Sequence, residues 1–186
     1  MRPPLFSLFL FSFSLYLFTF FHFTTGSNLI NDTCKVCAKI DPNVKLNFCT
    51  TSLQAAPASE CADLRGLGII SIRLVKYNVT DTRCKIKQLM KNKTLDPYVK
   101  ACLYDCFQLY SDAIPSVEKA MKYYNSKNYF EANIQISGVM TMATTCEDGF
   151  KEKKGVVSPL TKRSNDTYQL SAIVLSIMSV IQNRSQ

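Results

Sequence analysis

Apolar residues recur along this chain at alternating intervals of three and four, the spacing that places them on one face of an α-helix. The most sustained stripe is Ala132, Ile136, Val139, Ala143, Cys146 and Phe150. A second runs through Val99, Leu103, Cys106, Leu109, Ala113, Val117, Ala120 and Tyr124. Pro115 sits inside it and is expected to kink or locally break the helix, because proline has no N–H and crowds the preceding turn. A third comprises Leu170, Val174, Ile177 and Ile181. Upstream, Leu64, Leu67, Ser71, Leu74 and Asn78 lead loosely toward Ile86 and Leu89, with Gly66 and Gly68 either weakening the start or admitting a close neighbour. No run of β-alternation, internal repeat or low-complexity tract interrupts this pattern.

Asp96-Pro97 has the form of an N-cap followed by proline at the first helical position, and Ser158-Pro159 repeats it. Four long helices are therefore expected near 60–91, 96–126, 128–151 and 158–182. Short connections favour antiparallel neighbours, so the predicted class is all-α: an up-down-up-down four-helix bundle over 58–186. Ahead of it, 27–57 is expected to form a disulfide-closed helical hairpin, the two parts making one domain.

The N-terminus has a different pattern. Arg2 precedes an apolar run from Leu5 to Phe23, then Thr24, Thr25, Gly26 and Ser27, small residues of the kind found at signal-peptidase sites. Residues 1–26 are read as a cleaved signal peptide, giving a secreted chain. Left uncleaved, the run is long enough to serve as a membrane anchor. Removing it also removes His22, the only histidine.

Without imidazole, Ser-His-Asp and Cys-His nucleophiles and histidine-bearing zinc sites cannot be assembled. A carboxylate pair of glycosidase type would need a deep cleft, which this helical pattern does not suggest. No catalytic residue, metal site or cofactor is assigned. The formal net charge of +8, or +7 without Arg2, comes with no nucleic-acid motif, and export argues against that partner.

All eight cysteines lie after the leader, an even count that reads as a disulfide framework in an oxidising compartment. In an antiparallel helical hairpin, facing residues are equidistant from the turn. Cys34 and Cys49 average to Asp41-Pro42-Asn43, Cys106 and Cys146 to Ser126, and Cys84 and Cys102 to Lys93, all within turn signals. Cys37 and Cys61 are left for each other. Sequons at Asn31, Asn78, Asn92, Asn165 and Asn183 suit the same compartment. A glycan would bar a protein interface around it, which makes Asn92 and Asn165 negative markers.

Asp32-Thr33-Cys34, Pro42 to Cys49, Ser52-Leu53 and the run Thr145 to Phe150 together resemble the plant invertase and pectin methylesterase inhibitor family. Ala62 to Gly68 and Cys146 to Gly155 are similar to its pollen invertase-inhibitor branch. The likeness spans the whole mature chain. It implies the bundle with an N-terminal hairpin, shared disulfides Cys34–Cys49 and Cys106–Cys146, and a stoichiometric protein inhibitor that covers the cleft of an acid invertase or a pectin methylesterase in the cell wall. In invertase inhibitors of the family a Pro-Lys-Phe element near the start of the third bundle helix enters the enzyme. Asn128, Tyr129 and Phe130 match it here, with only the phenylalanine retained, so the resemblance leaves both enzyme classes open as targets.

The bundle topology also implies two unlike ends. One collects Lys85, Lys87, Lys91, Lys93, Lys151, Lys153, Lys154, Lys162 and Arg163; a basic pole could attract anionic pectin or an acidic enzyme, or be a solvated end. The other carries Tyr123, Tyr124, Tyr129 and Phe130, as anchors for a partner or as a plug for the bundle. Two further readings accompany the inhibitor: a secreted bundle without inhibitory activity, and a small-molecule or lipid carrier.

Overall fold

The computed structural model describes residues 28–184, so the signal peptide expected over 1–26, with His22, lies outside the described residues. Helix α1 (28–40) and helix α2 (Leu46–Gln54) form the N-terminal hairpin. Its turn is set by Asp41, whose Oδ1 accepts from the backbone N and Nδ2 of Asn43, both at 2.8 Å. Cys34 and Cys49 are bridged across it, with Cα atoms 5.7 Å apart.

A short 3-10 turn (Pro57–Cys61) leads to the four bundle helices: α3 (Leu64–Leu89), α4 (Pro97–Asn125), α5 (Tyr129–Lys151) and α6 (Thr161–Arg184). Asp63 caps α3 by accepting from Gly66 N at 2.6 Å, and Asp96 caps α4 by accepting from Tyr98 N and Val99 N at 2.9 and 3.2 Å. Ile72, Val75 and Val79 of α3, Leu103, Ala113 and Val117 of α4, the expected α5 stripe, and Leu170, Val174 and Met178 of α6 fill the bundle core. Within this core Tyr110 donates to Ser164 Oγ at 3.2 Å, and Thr167 donates to Asn78 Oδ1 at 2.6 Å. This polar layer ties α3, α4 and α6 in one register. Disulfide Cys106–Cys146 crosses from α4 to α5.

A second core lies under the hairpin. Ile30, Cys34, Val44, Cys49 and Leu53 pack on Leu67 and Ile70 of α3 and on Ala172, Ile173 and Ile177 of α6. Buried Gln169 closes it: Nε2 donates to Asn43 O at 2.6 Å, and Oε1 accepts from Lys45 N at 3.1 Å. Helices α3 and α6 therefore bury two faces each. This corrects the expected α3 stripe. Leu67 and Ser71 are buried, but the bundle-facing row is Ile72, Val75, Val79, Thr82 and Ile86, while Leu64 and Leu74 are partly buried and Asn78 is half-buried.

Other expectations need correction too. α4 is not broken at Pro115: it runs as one helix, held in the bundle by the buried residues Ala113 and Val117 on either side despite the missing amide donor. Ser158 does not open α6, which begins at Thr161. Its Oγ instead accepts from Leu160 N at 3.1 Å and donates to Glu147 Oε1 at 2.6 Å.

Cys84–Cys102 and Cys37–Cys61 are not bridged in this structure; all four are free thiols. Averaging about Lys93 puts Cys84 and Cys102 level but says nothing about which way each points. Cys102 faces α5, with its Sγ 3.5 Å from Gly149 O, whereas Cys84 stands exposed on α3. Cys37 is buried in the hairpin core and Cys61 is exposed at the end of the 3-10 turn. Burial pushes the Cys37 thiol up to about 12, with nearby Asp41 adding to the shift.

Candidate functional site

The turn joining α4 to α5 is tightly specified. Ser126 ends α4, Lys127 takes a left-handed conformation with φ of 60°, and Asn128 caps α5 by accepting from Glu131 N at 3.3 Å. Asn128 N donates to Tyr123 O at 2.9 Å and Lys127 N to Tyr124 O at 3.0 Å, the paired bonds of a Schellman C-cap.

Beneath this turn Tyr124 is fully buried and its hydroxyl donates to Arg65 O at 3.0 Å. Arg65 Nη2 in turn donates to Asn125 O at 3.0 Å, and its guanidinium carbon lies 5.9 Å from the Tyr124 ring centre. Tyr129 meets Tyr124 edge to face, with centroids 5.2 Å apart and planes at 74°. Burial, reinforced by the neighbouring Tyr129, holds the Tyr124 phenol well above its usual pKa. It is a neutral structural plug.

The three matched positions thus divide by role. Asn128 is a helix cap, Tyr129 is half-buried against the plug, and Phe130 is 69 % exposed. One turn along α5, Ile134 is 48 % exposed, extending the apolar strip that Phe130 begins. Sequence reading missed Ile134, although its i+4 relation to Phe130, off the buried stripe, was available as a signal. Beyond Ile134, α5 carries no charged side chain from Ala132 to Cys146. The result is a rigid end with an apolar prow and an uncharged flank, suited to covering a surface.

No sequon falls on α4 or α5. Asn92, Asn165 and Asn183 are exposed, whereas Asn31 and Asn78 are half-buried and Asn78 Oδ1 accepts the Thr167 hydroxyl. Of the two negative markers, Asn92 lies in the α3–α4 connection at the opposite end and Asn165 near the start of α6.

That opposite end is basic, but much of its charge is neutralised. Lys151 pairs with Asp148 at 2.9 Å, Lys153 with Asp96 at 3.8 Å, Lys162 with Asp166 at 2.6 Å, and Arg163 with Asp81. A groove of about 380 Å³ runs nearby between α4 and α5, with Cys102 and the Cys106–Cys146 bridge in its wall beside Asp105, Asp148 and Glu152. Among the described residues no group of histidine, cysteine or carboxylate side chains is arranged to hold a metal ion, and no helix is long and apolar enough to cross a membrane.

A family model described as plant invertase/pectin methylesterase inhibitor matches residues 28–177. The chain is 43% identical over 170 residues to a Platanus orientalis protein named "Putative invertase inhibitor", covering 91% of this chain and 97% of that one. With the pectinesterase inhibitor of Actinidia deliciosa it shares 31% identity over 135 residues, covering 73% of this chain and 72% of the relative. Among solved structures, a mutant form of a pectin methylesterase inhibitor from Arabidopsis superimposes with a TM-score of 0.64 at 25% identity, covering 72% of this chain and 88% of that one.

Proposed function

The chain belongs to the plant invertase/pectin methylesterase inhibitor family, and from that premise we propose that it is a secreted, non-catalytic protein that inhibits an acid invertase or a pectin methylesterase stoichiometrically by lying across the substrate cleft. On this reading residues 27–186 form one inhibitor domain, released from the signal peptide 1–26 into the cell wall space.

The observation that carries it is the α4–α5 end, where Phe130 and Ile134 stand exposed on a turn locked by Tyr124, Arg65 and the Lys127 cap. A protein that blocks a cleft needs large apolar anchors held rigidly, because ordering flexible side chains on binding costs affinity. Both requirements are met with no reacting group in play. Two of the three Pro-Lys-Phe positions are occupied by residues committed to the fold, Asn128 as cap and Tyr129 against the plug. Any invertase contact here must therefore come from Phe130 and its neighbours on α5. The 31% identity to a pectinesterase inhibitor keeps the second enzyme class equally in view.

The test is a pair of titrations at mildly acidic pH, one against an acid invertase and one against a pectin methylesterase. The expected result is loss of activity reaching its plateau at a one-to-one ratio with one of the two, and a matching complex on size-exclusion chromatography. Full activity of both enzymes at micromolar inhibitor would overturn the reading.

A further inference from the structure

We propose that the end of the bundle opposite Phe130 carries a second binding surface, for a linear polysaccharide bearing a carboxylate on each sugar, and that it tethers the protein while the α4–α5 end remains free. Once the ion pairs at this end are set aside, together with Arg83, which lies over the Phe107 ring at 4.6 Å and donates to Ser111 Oγ at 2.8 Å, the remaining cations are Lys85, Lys87, Lys91, Lys93, Lys100 and Lys154. None makes an ion pair among the described residues, and all but half-buried Lys85 are exposed. They occupy the last turns of α3, the α3–α4 connection, the first turn of α4 and the α5–α6 connection. Lys153, folded over the Tyr98 ring at 5.0 Å and paired with Asp96, binds these segments into one surface. The nearby carboxylates without an ion pair are Glu147, which accepts from the Ser158 and Thr161 hydroxyls, and Glu152 and, further along α4, Asp105, the last two lining the α4–α5 groove.

The chemistry of the surface selects among polyanions. All six free cations are lysines: compact point charges on flexible stems that suit spaced single carboxylates, rather than the bidentate arginine forks that favour phosphate. The neighbouring groove is walled by carboxylates, so it offers no pocket for a compact anion. What remains is an open field of like charge, which attracts an extended polyanion without enclosing it. The choice of a polyuronate rests on the reading that the protein works in a plant cell wall. The surface and the inhibitory end lie at opposite ends of helices 23 to 29 residues long, roughly 35–45 Å at 1.5 Å per residue. Both can therefore be occupied at once.

The experiment applies the mature chain to immobilised polygalacturonate and to highly methyl-esterified pectin, with the inhibition titration run in parallel. Retention on the first alone, released by raising the salt, is expected. The variant K87E/K91E/K93E/K154E should lose retention by about ten-fold or more while inhibiting unchanged. A charge-matched control, K39E/K45E/R73E/K119E, should stay bound. Equal loss in both variants would mean that net charge alone binds, and tighter binding to phosphatidylserine vesicles than to polygalacturonate would mean a membrane ligand; either overturns the proposal. So would native protein carrying a full glycan at Asn92 and binding only once N92Q removes it. Inhibition that persists while retention fails separates this proposal from the functional reading, since only the tether is then lost.

Discussion

Gly68 of α3 lies directly under Tyr124 of α4: a Cβ built at residue 68 would overlap the phenolic oxygen and come within 2.6 Å of the ring carbon Cζ. The missing side chain is what lets the tyrosine reach Arg65 O and seal the end of the bundle. Gly68→Ala is therefore expected to destabilise by about 1–3 kcal/mol through overpacking. Tyr124→Phe alone should cost about 1 kcal/mol for the lost hydrogen bond. Because removing the hydroxyl also removes part of the clash, the double variant should lose less than the two together. Urea unfolding of the four proteins measures this coupling, and strict additivity would count against the contact.

At the proposed anchors the expected effect falls on binding. Phe130→Ala and Ile134→Ala should each weaken the complex with the target enzyme by more than about 1 kcal/mol, because both side chains are exposed in the free protein and would be covered in the bound one. Thermal midpoints should barely move. Tyr129→Ala should lower both affinity and stability, since that ring packs on Tyr124. Unchanged inhibition by the Phe130→Ala protein would exclude this end as the interface.

Lys127 pays a backbone penalty that glycine would not. Its φ of 60° lies in the left-handed region, at the position of a Schellman cap where glycine is usual. Lys127→Gly is expected to raise stability by about 0.5–1 kcal/mol, partly offset by the greater freedom of glycine in the unfolded chain. A lowered urea midpoint would show that the lysine side chain contributes something its geometry does not reveal.

The thiols predict both reactivity and pH dependence. Native protein should react with a bulky thiol reagent at Cys61 and Cys84, which are exposed, and at Cys37 and Cys102 only on unfolding. Burial raises the Cys37 thiol to about 12 and lifts the Tyr110 and Tyr124 phenols above 10.0. In each case the neutral acid is favoured in the folded state, so the unfolded chain sheds its protons first as pH rises. Stability should be level through neutral pH, begin to fall near the free-thiol value of 9.0, and go on falling as pH climbs toward about 12. Cys37→Ala should flatten the thiol part of that fall in urea titrations between pH 8 and pH 11.

How much of this was legible in sequence differs from element to element. All six expected core positions of α5, Ala132 to Phe150, are buried, because α5 turns a single face to the bundle and a single period describes it. For α3 the single-stripe reading failed. Ile72, Val75 and Val79 face the bundle while Leu67 and Ile70 face the hairpin, and two superposed periods blur into a loose pattern. Turn averaging placed Cys84 and Cys102 level with one another but could not tell that Cys102 points at α5. At the site, Phe130 was visible as an aromatic beside a turn. That Tyr124 is plug rather than anchor depends on Gly68 and Arg65, residues almost sixty positions away.

Local information along the chain was enough to determine the all-helical class, the start of α4 at its Asp96 cap, the α5 face, and the absence of any histidine after His22. These follow from periodicity, capping and composition, which need no knowledge of neighbours. Folding in three dimensions decided which aromatics are covered, which lysines are left without an ion pair and which cysteines point past one another. Burial, ion pairing and side-chain direction are relations between helices, and they acquire values only when α3, α4, α5 and α6 come into register.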